Sequence, residues 1–223
     1  AYPDRLDCER EALSTESLRT GMGVLTLRVD ALFHEVGSTK KERVMRTLTA
    51  TMFDLPGVML LQSVVHKDER GSFTQSWQAD DWRAAGLDVA FVQDNLVWNA
   101  RSGTLRGLHW QREPHAQSKT IQCVKGALLD VVADVRPESP FYGKWIAVEL
   151  KAGEGKTLFI PAGYAHGYVT MEDDTIVLYK VDQPWVPDAE ESCRWNDPTL
   201  DVDWRCREPI ISEKDAVAPF LKQ

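Results

Sequence analysis

From Thr47 to Val181 the chain repeats short segments in which apolar and polar residues alternate, separated by turns containing glycine, proline or charged residues. Alternation with a period of two is the pattern of a β-strand with one buried face. The segments recur about every 8–12 residues, which is typical of an all-β sandwich or barrel, and a double-sheet jelly roll is one such fold. The predicted strands are 57–65, 89–98, 104–111, 120–125, 127–135, 144–150, 157–160, 166–171 and 175–181.

Two short helices are predicted beside this strand pattern. Residues 80–85 begin with two aspartates and are followed by Gly86, which suits the position after a helix C-terminus. A second short helix is predicted near 215–221. Because no repeat or linker interrupts the strands, the sequence predicts an all-β fold with a few short peripheral helices.

Composition argues against several classes of protein. The 223 residues carry a net charge of −8, whereas a general nucleic-acid binder needs a basic surface; a local basic pocket for one nucleotide is still compatible. No apolar run approaches the roughly 18–20 residues that span a bilayer, and no signal peptide opens the sequence. The four cysteines are widely spaced, which predicts reduced thiols and a cytoplasmic location.

The richest set of polar side chains lies in the stretch from Gln93 to Lys119. Its two strands, 89–98 and 104–111, are predicted to pair as a hairpin around a Ser-Gly turn. On composition alone the stretch fits a solvated edge hairpin as well as a functional site, since motif matches carry false positives.

Arg106 and His109 are three residues apart, so a regular strand would point their side chains to opposite faces. Gly107 between them predicts a β-bulge or a close approach of another backbone. A bulge could bring both side chains onto one face of the sheet.

Several separated motifs resemble, in the same order, those of the dTDP-4-dehydrorhamnose 3,5-epimerases, a family of sugar-nucleotide enzymes with the cupin fold. The resemblance spans about residues 56–221 and implies a cupin jelly roll. The motifs are Asp-Glu-Arg-Gly-Ser-Phe at 68–73, Gln93-x-Asn95, Leu-Arg-Gly-Leu-His-Trp-Gln at 105–111, Pro-Ala-Gly-Tyr-Ala-His-Gly at 161–167, Leu-Tyr-Lys at 178–180, Trp-Asn-Asp-Pro at 195–198 and Ile-Ser-Glu-Lys-Asp at 211–215.

The first 44 residues lie outside the resemblance. Met45 matches the start of the family's first strand, so we divide the chain into an N-terminal extension of unknown role, 1–44, and a cupin epimerase domain, 45–223. Within the extension, residues 22–36 fit either a strand or a short amphipathic helix.

A 4-keto sugar has acidic protons at C3 and C5, because the carbanion delocalises into the carbonyl as an enolate. Inverting such a carbon needs a base on one face, an acid on the other and a positive group beside the enolate oxygen. Histidine suits the base, since its unperturbed pKa is about 6.5. His109 is a candidate for that role, and Lys119 or Arg106 could stabilise the enolate.

The resemblance implies inversion of C3 and C5 of dTDP-4-dehydro-6-deoxy-D-glucose, giving dTDP-4-dehydro-L-rhamnose. It makes His109 the base, paired with Asp215, and Tyr179 the opposing acid, with Lys119 supporting the enolate. The sequence alone does not show that Asp215, more than a hundred residues along the chain, reaches His109.

The resemblance also assigns substrate-binding positions. Arg70 binds phosphate and Phe73 packs around the base, often across a subunit boundary, while Gln93 and Asn95 hydrogen-bond the nucleotide. The remaining positions are Gln75, Arg106, His166, Trp185 and Glu190. The family forms homodimers in which strands cross between subunits, so we expect a homodimer that binds a dTDP-linked 4-keto-6-deoxy sugar.

Two positions depart from the family pattern. Trp185 stands where many members have a tyrosine, and Gln75 stands where a glutamate is common. Losing a phenol beside the sugar could change which carbons are inverted. A C3-only or C5-only epimerase, a ketoisomerase of a related sugar nucleotide, and a cupin that binds a sugar nucleotide without catalysis therefore stay open.

The sequence predicts neither a metal nor another cofactor. A cupin metal site uses a His-x-His pair with a carboxylate a few residues on, but the residue two positions after His109 is Gln111. His115 is six residues from His109, so the ligands that a metal needs are not supplied by this stretch.

Overall fold

The computed structural model describes residues 25–30 and 47–221 and confirms the all-β class. Two antiparallel sheets face each other, and short helical segments lie at the periphery. The strands are β1 Leu25–Asp30, β2 Thr47–Met52, β3 Met59–Ser63, β4 Val65–Asp68, β5 Gly71–Thr74, β6 Gln93–Asn99, β7 Leu105–Gln111, β8 Lys119–Lys125, β9 Ala127–Asp134, β10 Trp145–Lys151, β11 Lys156–Ile160, β12 Tyr164–Thr170, β13 Thr175–Val181 and β14 Glu190–Ser192.

Within the described residues, one sheet has seven strands in the order β1-β2-β3-β11-β8-β13-β6. The other has five strands in the order β10-β9-β12-β7-β14, and β4 and β5 form a separate hairpin. The helices are α1, Ala79–Ala84, and α2, Glu213–Ala216. None of these helices is long or apolar enough to cross a membrane.

Apolar side chains fill part of the space between the two sheets. Leu128, Val132 and Leu150 from the five-stranded sheet pack against Ile121, Leu158 and Val177 from the seven-stranded sheet, and all six are at most 1% exposed. Each such side chain contributes about 1.5–3 kcal/mol by leaving water.

The outer face of the five-stranded sheet is also covered. Leu129, Val131 and Ala133 of β9 pack against residues of the C-terminal segment, among them Leu200 and Trp204. Both faces of β9 are therefore buried, which explains its nearly continuous apolar sequence.

The predicted hairpin of 89–98 with 104–111 is wrong. β6 pairs with β13 in the seven-stranded sheet, whereas β7 pairs with β12 and β14 in the five-stranded sheet. The Ser-Gly turn therefore carries the chain from one sheet to the other. Alternation reports which residues share a face, but it does not identify the partner strand, and so the two arrangements look alike in the sequence.

The predicted boundaries shift at several other elements. The strand predicted over 57–65 is interrupted at Val64, so that β3 joins the large sheet and β4 joins the separate hairpin. The helix predicted at 80–85 begins and ends one residue earlier, and the one near 215–221 is shorter and ends at Ala216. The strand predicted at 175–181 is confirmed without change.

Part of the N-terminal extension belongs to the sheet. β1 pairs antiparallel with β2, with Leu25 opposite Met52 and Asp30 opposite Thr47. The strand alternative for 22–36 is therefore confirmed over Leu25–Asp30; the rest of that segment lies outside the described residues. Cys123, Cys193 and Cys206 are free thiols, as predicted, and Cys8 lies outside the described residues.

Candidate active site

A cavity of about 450 Å³ opens between the two sheets. The five-stranded sheet contributes Arg106, His109 and His166 to its wall, and the seven-stranded sheet contributes Lys119 and Tyr179. The structure therefore brings together five predicted site residues that lie on four different strands.

The backbone at Gly107 explains why Arg106 and His109 face the same cavity. Gly107 has a φ of +113°, and a Cβ there would lie 2.7 Å from Gly167 Cα and from the His166 carbonyl oxygen. The register between β7 and β12 shifts at the same place. The predicted bulge and the predicted close backbone approach are both confirmed.

His109 is paired with Asp215, as the resemblance implies. His109 Nε2 lies 2.7 Å from Asp215 Oδ1, and Asp215 is only 4% exposed. Burial alone would raise the pKa of Asp215, but hydrogen bonds from His109, Ser212 and the Gly107 backbone, together with the charge of His109, hold it below its usual value. Asp215 is therefore a carboxylate at neutral pH, and its Oδ1 can accept a hydrogen bond from the N–H of His109 Nε2.

Lys119, at the start of β8, lies between the two sheets and faces the cavity. Burial disfavours its charged ammonium more than the negative charges of Glu190 and Asp130 favour it, and its pKa is lowered to about 8. The ammonium form still predominates at pH 7, so the cavity contains a poorly solvated positive charge.

A second histidine–carboxylate pair lies beside Lys119. His166 Nε2 is 3.0 Å from Asp130 Oδ2 on β9, and both residues are buried. Burial raises the pKa of Asp130, although His166 and Lys119 favour its ionised form. The other oxygen, Asp130 Oδ1, has no hydrogen-bond partner among the described residues. Asp130 was not predicted from the sequence, where its only signal is a carboxylate within a buried apolar strand.

Asn99, which was also not predicted from the sequence, orients the side chains of Arg106 and Tyr168 on the cavity wall. Its Oδ1 accepts hydrogen bonds from Arg106 Nε at 2.9 Å and from the Tyr168 hydroxyl at 3.3 Å. Burial raises the pKa of Tyr168 to about 12. Burial likewise raises the pKa of Tyr179, although the positive charge of Arg106 opposes this shift, so Tyr179 is a neutral phenol at pH 7.

A second cavity, of about 340 Å³, adjoins the first. His109, Lys119 and Tyr179 line both cavities. The further predicted residues on the wall of the second cavity are Gln93, Asn95, Trp185 and Glu190.

The polar groups of the second cavity are bonded to one another. Gln93 Nε2 donates to Asn95 Oδ1 at 2.8 Å. Trp185 Nε1 donates to Glu190 Oε2 at 3.1 Å, and Lys214 Nζ donates to Glu190 Oε1 at 2.7 Å. Lys214 lies within the Ile-Ser-Glu-Lys-Asp motif at 211–215, but no role was predicted for it.

Three predicted substrate-binding residues do not line these two cavities. Arg70 and Phe73 lie on the β4–β5 hairpin, where the Arg70 side chain is 89% exposed and Phe73 is 69% exposed. Gln75 donates a hydrogen bond to Asp81 of α1. Within one chain, these residues are therefore separate from the residues around His109.

The residues around His109 do not fit a metal site. The residue two positions after His109 is Gln111, whose amide donates to the carbonyl oxygens of His115 and Pro184. Among residues 25–30 and 47–221, no group of three or more histidine, cysteine, aspartate or glutamate side chains converges as metal ligands.

Comparison with known proteins identifies a family. Residues 52–223 match the family model described as dTDP-4-dehydrorhamnose 3,5-epimerase. A curated protein of that name from Sinorhizobium fredii is 41% identical over 165 residues, which cover 74% of this chain and 85% of that protein.

Solved structures show the same fold. The dTDP-4-dehydrorhamnose 3,5-epimerase of Bacillus anthracis, solved with TDP and PPi bound, has a TM-score of 0.74 and 39% identity, covering 76% of this chain and 97% of its own. A 3′-monoepimerase from Streptomyces bikiniensis, solved with dTDP-quinovose, has a TM-score of 0.70 and 34% identity, covering 74% and 84%. The predicted cupin jelly roll is therefore confirmed.

Proposed function

This chain belongs to the dTDP-4-dehydrorhamnose 3,5-epimerase family, and from that premise we propose that it inverts C3 and C5 of dTDP-4-dehydro-6-deoxy-D-glucose with His109 as base and Tyr179 as acid. The product is dTDP-4-dehydro-L-rhamnose. The chain is thus an isomerase that acts on a dTDP-linked sugar.

One observation carries the assignment of roles. His109 lies on β7 of the five-stranded sheet and Tyr179 lies on β13 of the seven-stranded sheet, yet both line the same cavity. A sugar ring held between the sheets would present one face to His109 and the other to Tyr179. Inversion of a carbon needs a base and an acid in this opposed arrangement.

The first step is removal of the C3 proton. Because Asp215 can only accept a hydrogen bond, His109 Nε2 carries the proton of the neutral imidazole, and the lone pair is on Nδ1. His109 Nδ1 takes the C3 proton, and the negative charge of Asp215 stabilises the imidazolium. The electron pair of the C–H bond moves into the C4 carbonyl and forms an enolate.

The second step returns a proton to the opposite face. Lys119 and Arg106, which both line the cavity, supply positive charge for the enolate oxygen. The raised pKa of Tyr179 keeps its phenol protonated, as a proton donor requires. Tyr179 then donates to C3, solvent restores both residues, and the same sequence repeats at C5.

The adjoining cavity is the proposed nucleotide site. Gln93 and Asn95 offer amide groups to the nucleotide. Trp185, which donates a hydrogen bond to Glu190, borders the sugar at the side of this cavity that His109, Lys119 and Tyr179 also line. His166 is proposed to contact the sugar from beside Lys119.

We propose a homodimer to account for the β4–β5 hairpin. Arg70 and Phe73 are highly exposed in one chain, and an arginine with an aromatic residue suits a nucleoside diphosphate. In a dimer they would reach the nucleotide of the partner subunit. Gln75 is placed with them as a supporting residue. A cytoplasmic location and the division of the chain after residue 44 are kept as predictions.

The test is NMR of the purified protein with dTDP-4-dehydro-6-deoxy-D-glucose in D2O containing EDTA. Deuterium at both C3 and C5, with a new sugar stereochemistry, is the expected result. Deuterium at C3 alone would assign the chain to a narrower epimerase, the second candidate, which is favoured by the likeness to the 3′-monoepimerase and by Trp185. Binding of the nucleotide sugar without exchange would refute catalysis on this substrate.

A further inference from the structure

The two members of the His109–Asp215 pair are positioned very differently. His109 lies within β7, which is paired on both sides by β12 and β14. Asp215 lies on α2, a helix of four residues. Such a short helix is not stable by itself, so the contacts on either side of it must place Asp215.

The chain entering α2 is fixed to the start of β7. Ile210 N donates to Gly103 O at 2.8 Å, and Leu105 N donates to Ile210 O at 2.9 Å. Ser212 then caps the helix by accepting a hydrogen bond from Asp215 N at 3.1 Å.

The chain leaving α2 forms a strap, residues 218–221, that is held by the segment after β14. Arg194 N donates to Pro219 O at 2.9 Å, and Arg194 Nε donates to Ala218 O at 3.0 Å. The Arg194 guanidinium also lies 4.6 Å from the centre of the Phe220 ring. Arg194 therefore binds three consecutive residues of the strap.

Asp197 completes this attachment from a buried position. It is 1% exposed, and its Oδ1 accepts hydrogen bonds from Thr199 N at 2.8 Å and Leu200 N at 3.2 Å. Its Oδ2 accepts one from Leu221 N at 2.7 Å. One carboxylate thus joins the loop after β14 to the end of the strap.

The same segment is also attached to the strand of His109. Ser192 lies opposite His109 in the pairing of β14 with β7, and Arg194 follows two residues later. The short stretch 192–197 therefore connects the backbone of His109 with the strap that directly follows α2, the helix of Asp215.

We propose that Asp197 is a positioning residue for the His109–Asp215 pair, because it fastens the C-terminal strap to the segment paired with β7. Asp197 touches neither cavity wall and acts only through Asp215. Asp197 is the aspartate of the Trp-Asn-Asp-Pro motif, which thereby has a structural role near the active site. The proposal rests on the proposed function, in which His109 is the base.

The primary variant is Asp197→Asn, assayed for kcat and KM with dTDP-4-dehydro-6-deoxy-D-glucose. The amide keeps one oxygen acceptor but presents N–H groups to Leu221 N–H or to the loop, so one of the two attachments is lost. We expect kcat to fall about 10- to 100-fold, as small misplacements of catalytic groups do, with KM within about twofold. Combined with Asp215→Asn, it should cause no further loss beyond that of Asp215→Asn alone.

The matched control is Asp134→Asn. Asp134 is also buried, and its carboxylate accepts hydrogen bonds from Arg136 N at 3.0 Å and Ser139 Oγ at 2.6 Å, at a site away from the strap. It should lower the thermal midpoint but leave kcat unchanged. Equal losses of kcat in the two variants would mean that Asp197 acts only through general stability, and would overturn the proposal.

Each remaining outcome is also decisive. An unchanged kcat in Asp197→Asn, or losses that multiply in the double variant, would overturn the positioning role while leaving the function intact. Full activity in Asp215→Asn would overturn the paired base itself. Should Asp197→Asn fail to fold, Arg194→Met, a change at a half-buried side chain, replaces it with the same expected results.

Discussion

The packed core and the cavity are neighbouring regions between the same two sheets, but the core is lined by apolar side chains and the cavity by ionisable ones. On β9 the inward-facing residues Leu128, Asp130 and Val132 are all fully buried, and only the central one has an ionisable side chain. The apolar neighbours stabilise the fold by leaving water, whereas burial raises the pKa of Asp130. The comparison shows how one strand can support packing and site chemistry at alternate positions.

The largest effect is expected from removing the base. His109→Ala should lower kcat about 100- to 10,000-fold, the range of general acid–base catalysis, because neither C3 nor C5 can then be deprotonated by the enzyme. The thermal midpoint should also fall, because the buried carboxylate of Asp215 loses its partner. The measurement is the initial rate of product formation together with a thermal melt.

His115→Ala is the matched control for this change, because His115 lies on an exposed loop. It should retain full activity. A His109→Ala enzyme that works at the normal rate would remove His109 from the mechanism.

The packed core should show the reverse behaviour. Leu128→Ala removes a side chain with 0% exposure and should lower the free energy of unfolding by about 2–5 kcal/mol, through lost transfer energy and a cavity. Below the melting temperature, kcat should stay unchanged. Urea unfolding and steady-state kinetics on the same samples would check both statements.

Val124→Ala, on the outward face of β8, serves as the control, since Val124 is 48% exposed. Its free energy of unfolding should change by no more than about 0.5 kcal/mol. A loss of kcat without a loss of stability in Leu128→Ala would contradict the separation of core and cavity.

The pH dependence tests the charge within the cavity. In the proposed mechanism Lys119 must be protonated to stabilise the enolate, and burial lowers its pKa to about 8. Because the ammonium is lost as the pH rises through this value, kcat/KM should fall about tenfold per unit above pH 8. In Lys119→Met, kcat/KM should be lower at every pH, and its fall above pH 8 should be absent. A wild-type kcat/KM that stays constant to pH 10 would contradict the role of Lys119 in stabilising the enolate.

A smaller effect, on KM, is expected at the exposed hairpin. Arg70→Ala should raise KM on the order of tenfold with little change in kcat, because a phosphate contact is lost without any change at His109. Arg83→Ala, at an exposed arginine of α1, should leave KM unchanged.

Mixed dimers would test whether Arg70 acts in the partner subunit. A dimer of one Arg70→Ala chain and one His109→Ala chain would contain one site with both residues if Arg70 crosses the boundary. Mixing the two variants should then restore activity with a normal KM. Failure to restore it under conditions where subunits exchange would place Arg70 in its own chain's site.

Much of the fold was accessible from the sequence because periodicity records burial directly. The strand at 175–181 and the bulge at Gly107 follow from local patterns. The partner strands of β6 and β7 do not follow from such patterns, since the choice of partner depends on the packing of two whole sheets. Local alternation carries no information about that choice.

The site was predictable in part for a similar reason. The resemblance supplied His109, Lys119 and Tyr179, and the structure shows them around one cavity. Asp130 and Asn99 were missed because their importance comes from a partner on another strand, His166 or Arg106. A buried polar residue needs such a partner, but the sequence does not say which residue supplies it.

The most direct test of the opposed base and acid is proton exchange by Tyr179→Phe. The variant would be incubated with dTDP-4-dehydro-6-deoxy-D-glucose in D2O, and both deuterium at C3 and inverted product would be followed by NMR. We expect that His109 still exchanges the C3 proton with retention of configuration, while inversion falls about a hundredfold or more. Inversion at the wild-type rate would contradict the assignment of Tyr179 as the acid on the opposite face.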